Sequence, residues 1–177
     1  MWTRLQTFFK HRWLDESDTR RAIAPDALER LRQRVAASEL RHGGEIRMFV
    51  EASLPISYLW RHLRHKSPMA ELARERALSI FGKLRVWDTE NNNGVLIYLL
   101  LAERRIELVA DRALDRVVDA PQWQAMVQRM GAAFSSGRFE DGLAQALEEV
   151  TEPLVRHFPL HPGSSDSNEL PDTPELG

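Results

Sequence analysis

Gly94-Val-Leu-Ile-Tyr-Leu-Leu-Leu-Ala102, then Glu103-Arg104, then Arg105-Ile-Glu-Leu-Val-Ala110, is the stretch on which the fold turns. Val95 to Ala102 is apolar on both alternating faces, which suits a strand in the centre of a covered sheet. Arg105 to Ala110 alternates Ile106 and Leu108 against Arg105 and Glu107, a second strand. Only two residues separate them, so the pair is expected to form an antiparallel hairpin. Neither Glu103 nor Arg104 is a favoured tight-turn residue, and the turn type is left open.

Upstream, Glu45 to Ala52 alternates Ile46, Met48 and Val50 against Glu45, Arg47 and Glu51, a further strand ended by Pro55. Before it, Pro25 opens a helix with Ala27, Leu28, Leu31, Val35 and Leu40 on its apolar face, and Gly43-Gly44 is expected to cap it. A short helix is expected over 56–65. A longer one runs to about Leu84, with Ser67 as cap and Pro68 in the first turn. Residues 85–88 are expected to be extended. Downstream, 113–118 reads as a helical turn. Helices follow from Ala120 to about Phe134 and from Phe139 to about Phe158, the latter kinked or broken at Pro153. Few strands among many helices imply an α/β fold, a small mixed sheet sandwiched between helices (α/β/α).

Two appendages complete the organisation. Residues 1–24 comprise an amphipathic helix over 2–14, with Trp2, Leu5, Phe9 and Trp13 on one stripe, and a polar connection over 15–21. Residues 25–158 form the α/β domain. Residues 159–177, rich in Pro, Ser and acids and without periodicity, are expected to be a disordered tail.

The bulk numbers exclude several classes. The 177 residues include 24 Lys and Arg against 26 Asp and Glu, a net charge of -2, so no nucleic-acid partner is expected. There are no cysteines, which removes disulfides, thiol catalysis and cysteine metal sites. No apolar run is long enough to span a bilayer, and the N-terminus does not read as a signal peptide. The expected location is the cytoplasm, peripheral to the inner membrane face. Walker and Gly-x-Gly-x-x-Gly loops and a Gly-x-Ser-x-Gly elbow are lacking. His62/His65 and His157/His161 lack the further ligands that zinc needs.

The hairpin has a geometric consequence. The start of its first strand lies beside the end of its second, which brings the loop 88–93 next to 111–115. The first loop offers Asp88, Asn92 and Asn93, and the second Asp111, with Arg112 and Asp115 behind it. Hard cations such as calcium or magnesium bind oxygen ligands of this kind. The competing reading is ordinary turn chemistry, because Asn and Asp tolerate left-handed backbone. The spacing excludes an EF-hand. The helix over 2–14 likewise has two readings. Its stripe either packs on protein, its own domain or a partner, or lies on a membrane surface with Arg and Lys towards headgroups.

The stretch 85–111, with its Asn93-Gly-Val-Leu-Ile97 element and the strand Arg105-Ile-Glu107, resembles the core of the TPM domain family. Phe134…Gly137-Arg-Phe139…Gly142 is similar to that family's C-terminal run. The resemblance covers roughly 27–158. It implies an α/β/α sandwich and calcium binding at the loops beside Asn93 and Asp111. It also implies a role in assembly or repair of membrane protein complexes, or a weak acid phosphatase activity. Typical members carry Gly-aromatic-Gly after the second hairpin strand. Here Val109-Ala-Asp-Arg-Ala113 replaces it, which adds the Asp111 carboxylate and the Arg112 cation. The expected function is therefore a non-catalytic interaction module of the TPM type, serving membrane protein complexes through a protein partner or peripheral membrane contact. The alternative is a metal-assisted phosphomonoesterase.

Overall fold

The computed structural model describes residues 2–160 and 169–177, with the side chains of residues 2–4 and 16 excepted. Among the described residues, eight α-helices and four strands follow in the order α1 (Trp2–Trp13), α2 (Glu16–Ala22), α3 (Pro25–Glu39), β1 (Ile46–Glu51), α4 (Ile56–Arg64), α5 (Met69–Lys83), β2 (Val95–Leu100), β3 (Arg105–Ala110), α6 (Arg112–Asp115), α7 (Ala120–Ser135), α8 (Phe139–His157) and β4 (Glu175–Leu176). The sheet order is β3-β2-β1-β4. β1 runs parallel to both β2 and β4, while β2 and β3 form the antiparallel hairpin, Val95 facing Ala110.

The period-2 pattern divides the core. Ile46, Met48, Val50, Val95, Ile97, Leu99, Ile106 and Leu108 face one cluster, completed by α3, α7 and α8. Phe49, Leu96, Tyr98, Leu100 and Val109 face the other, completed by α4 and α5. Both faces of the sheet are therefore covered, and all six residues of β2 are buried. Phe49 and Tyr98 sit opposite each other in the β1–β2 register, and their rings stack at 6.2 Å.

Several local expectations give way to tertiary context. Residues 16–22 are α2 rather than a connection. The Asp15 side chain accepts the Ser17 N–H, and Asp18 reaches back to the Asp15 N–H. Ser67 does not cap α5, whose N-cap is Pro68. α3 ends at Glu39 with Leu40 as a right-handed cap, short of Gly43 and Gly44. Residues 84–87 are turns, not a strand, with Arg85 at φ 55°. This turn presses on the start of β2: a Cβ on Gly94 would lie 2.0 Å from the Val86 carbonyl oxygen, so only glycine fits there. The hairpin turn is a 3-10 turn over Leu101–Glu103 closed by Arg104 in the left-handed region, φ 47°. α8 passes through the buried Pro153 without a break.

The largest correction concerns the tail. Residues 161–168 lie outside the described residues, but 169–177 are ordered against the sheet. Leu170 enters the second core cluster, and Leu176 packs against the first. The Gly177 N–H donates to Val50 C=O at 2.9 Å, and the Ala52 N–H donates to Gly177 C=O at 3.2 Å. Arg47 donates to the Pro171 carbonyl and pairs with Glu175 at 3.0 Å. The Glu45 carboxylate accepts the Glu169 and Leu170 N–H groups at 3.0 and 3.1 Å. Arg47 of β1 and Glu45 just before it thus serve as fasteners for the tail, and all six residues of β1 are buried.

Candidate functional site

The hairpin does bring its two flanking loops together. The Asp111 N–H donates to Gly94 C=O at 2.8 Å, and the Ala113 N–H donates to Asn92 C=O at 2.9 Å. Arg112 donates to the Asn92 side-chain oxygen. Asn92 takes a left-handed backbone, φ 51°, to make this approach.

Asn93 is turned inward and is 1% exposed. Its Nδ2 donates to Gly43 C=O at 2.6 Å, its Oδ1 accepts from the Thr89 hydroxyl at 3.4 Å, and its N–H donates to Thr89 Oγ1 at 3.2 Å. The Gly43–Gly44 segment is itself fixed by His42, whose Nδ1 accepts the Gly44 N–H at 3.2 Å. The His42 Nε2–H therefore donates to Ser38 Oγ (2.9 Å), Ser38 to Thr151 Oγ1 (2.5 Å), and Thr151 to Leu147 C=O (2.7 Å). This ordered chain of donors ties α3 and α8 to the loop. Burial pushes the His42 pKa down to about 4, so the ring is neutral as the chain requires.

Asp111 is 5% exposed. Its Oδ1 accepts the Arg112 N–H at 2.7 Å, the cap of α6. Its Oδ2 is buried and has no hydrogen-bond partner, a state shared among the described residues only by Arg47 Nε and Trp123 Nε1. An unpartnered buried carboxylate oxygen is costly unless a donor or a cation meets it.

The other expected ligands lie differently. Asp88 is exposed and drawn to Arg85 at 3.4 Å. Asp115 is exposed and lines a separate cleft of about 600 Å³ between β3, α5 and α7, with Arg74, Leu78 and Trp123. Among the described residues, no three acidic or histidine side chains converge as a metal-holding group. The structure therefore joins Asn92, Asp111 and Arg112, turns the Asn93 side chain away to Gly43 and Thr89, and does not join Asp88 and Asp115 to them as a carboxylate cluster. It adds one neighbour that the sequence did not signal: the Glu169 carboxylate accepts the Glu90 N–H at 3.2 and 3.1 Å, from 79 residues away.

The N-terminal stripe is also placed. The buried side of α1 carries Phe8 and His11, not Phe9 and Trp13. His11 is 1% exposed, accepts the Leu54 N–H on Nδ1 (3.1 Å) and donates from Nε2 to Glu103 (3.1 Å). Leu5 is half-buried, Phe9 and Trp13 are 57% and 82% exposed, and the side chain of Trp2 lies outside the described residues. Nothing in the composition distinguishes His11 from an ordinary surface histidine of an amphipathic helix. No helix among the described residues is long and apolar enough to cross a membrane.

This geometry can be set beside known proteins. No curated protein matches the chain. The solution structure of the BA42 protein from the psychrophilic bacterium Bizionia argentinensis superposes with a TM-score of 0.71 at 24% identity, over 88% of this chain and 95% of that one. At that identity the likeness shows the fold. The sequence profile of the TPM domain matches residues 17–152, which span both flanking loops and all of the sheet but β4. This chain belongs to the TPM domain family.

Proposed function

We propose that this protein is a non-catalytic interaction module of the TPM type, conditioned by a divalent cation and acting with membrane protein complexes at the inner membrane face. The observation that carries the cation is Asp111 Oδ2, a buried carboxylate oxygen with no hydrogen-bond partner, in a loop whose Asp111 and Ala113 N–H groups are held by the Gly94 and Asn92 carbonyls. A carboxylate oxygen suits calcium or magnesium, and the Arg112 guanidinium, 3.7 Å from Asp111 Oδ1 and bonded to Asn92 Oδ1, is a cationic neighbour that the ion would displace. One buried carboxylate with neutral oxygens holds a hard ion weakly, because affinity follows the ligand charge count. Asp111 and Asn92 would hold it; Asn93 positions the loop. The bound ion would offset the charge of Asp111 and fix the two loops as one surface for a partner.

The test is a calcium and magnesium titration followed by amide NMR. Resonances of residues 89–93 and 111–113 should move together, and Asp111→Asn should abolish the response while keeping the fold. A response confined to other loops, or one unchanged in Asp111→Asn, would reject the site.

One observation favours the phosphatase reading. The Arg112 side chain is 73% exposed and lies 3.7 Å from the Asp111 carboxylate, so a guanidinium and a cation site would flank a phosphate together. Hydrolysis of a generic phosphoester that requires calcium or magnesium and disappears in Asp111→Ala would support it. Equal rates in both proteins would remove it.

A further inference from the structure

α1 and α4 pack against each other, and their sequences share a chemistry. Together they hold five Arg and Lys (Arg4, Lys10, Arg12, Arg61, Arg64) and no Asp or Glu, in a chain whose net charge is -2. Their apolar side chains are not all spent on packing. Phe9 is 57% exposed, Trp60 58% and Ile56 57%. Phe8 bridges the two helices, with edge-on ring contacts to Phe9 at 6.0 Å and to Trp60 at 6.4 Å. Trp13 lies one turn beyond Phe9, and Ile56 one turn before Trp60. The exposed rings therefore form a continuous platform rather than scattered surface residues.

We infer that this α1–α4 platform docks on the surface of an anionic phospholipid bilayer. Charge complementarity selects the occupant. Glu103 holds Lys10 at 3.6 Å and Glu75 holds Arg61 at 2.5 Å, while among the described residues no acid pairs with Arg12 or Arg64. The guanidinium groups of Arg12 and Arg64, near exposed Trp and Phe, match the headgroup–acyl boundary, where aromatic rings insert shallowly and Arg and Lys meet lipid phosphates. His11, clamped by Leu54 and Glu103, fixes α1 on the domain so that the platform is rigid before it meets lipid. The inference extends the interaction-module reading by naming the surface and its partner. It makes no use of the cation site.

The experiment is co-sedimentation of the full chain with vesicles, in EDTA so that the loop site plays no part. Vesicles of equal parts phosphatidylglycerol and phosphatidylcholine should retain the protein; phosphatidylcholine alone should not, and about 0.5 M salt should release it. The double variant Phe9→Ser/Trp60→Ser should weaken retention about tenfold or more, and so should Arg12→Glu/Arg64→Glu. All four positions are exposed, and circular dichroism checks the fold. Asp111→Asn should bind vesicles like the natural chain, so loss of the cation response and loss of lipid binding are separate results. Equal retention by both vesicle types, no retention, or retention unaffected by both double variants would overturn the inference. Self-association through the same face without vesicle binding would also overturn it, in favour of a protein partner.

Discussion

Half-buried Glu39 and buried His42 give this protein a pH signature of opposite signs. Glu39 lies beside Asp172 and Glu45, and burial pushes its pKa up to about 8 from an ordinary 4.5. The unfolded chain loses that proton near pH 4.5 while the folded chain keeps it, so stability falls as pH rises from 4.5 to 8 and then levels off. His42 works the other way. Held neutral down to about pH 4 against an ordinary 6.5, it contributes stability above pH 6.5 that is lost as pH falls towards 4. The two oppose each other between 4.5 and 6.5, and Glu39 dominates from 6.5 to 8. Glu39→Gln keeps an acceptor for the Ile46 N–H (3.1 Å in the natural chain) and removes the titration. Urea midpoints should decline between pH 6.5 and 8 for the natural chain and stay flat for the variant. The variant should be more stable at pH 8 by about 1–2 kcal/mol. A parallel decline in both would show that Glu39 is not the group responsible.

At the scale of elements, β1, β2 and α5 are joined by one buried polar cluster. The Tyr98 hydroxyl donates to Glu51 at 2.8 Å, and Arg76 grips the same carboxylate with two bonds of 2.9 and 2.5 Å. Burial and the Glu51 charge raise the Tyr98 pKa, so it stays a donor. Removing Arg76 leaves the Glu51 charge buried and half-satisfied. Arg76→Met should cost about 3 kcal/mol. Arg129→Met breaks an exposed pair with Glu149 and should cost under about 1 kcal/mol. Denaturant unfolding of the two variants checks the contrast, and equal losses would mean that burial does not set the value of the Arg76 pair. Gly137 of the α7–α8 turn and Gly142 in the first turn of α8 have an equally local reason. Gly137 takes φ 77°, and a Cβ on Gly142 would lie 2.5 Å from the buried Phe134 ring.

At the scale of the molecule, the C-terminal segment closes the sheet. It binds Arg47 and Glu45, covers the β1 edge and places Glu169 on the Glu90 N–H of the candidate site. Deleting residues 169–177 removes Leu170 and Leu176 from the two cores and uncovers a strand edge. The loss should be about 3 kcal/mol on the burial of two leucines. The truncated chain should also self-associate through β1, as exposed edges do. Thermal unfolding with size-exclusion chromatography measures both. An unchanged transition in a monomeric truncation would show that the segment is dispensable.

The sequence by itself determined the hairpin, the α/β/α layering and the meeting of the Asn92–Asn93 loop with Asp111. These follow from period-2 and helical patterning and from the short link between β2 and β3, all local in the chain. It could not determine what depends on partners far along the chain. β4 is two residues long and has no period of its own. It is a strand because Arg47, Glu45 and the open β1 edge hold it. His11 became an anchor because Leu54 and Glu103, 43 and 92 residues away, supply its partners. The sequence offered Asp88 as a metal ligand beside Asp111, with Asp115 behind it. Only tertiary structure separated them, burying one oxygen of Asp111 without a partner while leaving the other two carboxylates in solvent. Patterning records which face of an element is buried; it does not record which distant group will meet a buried polar atom.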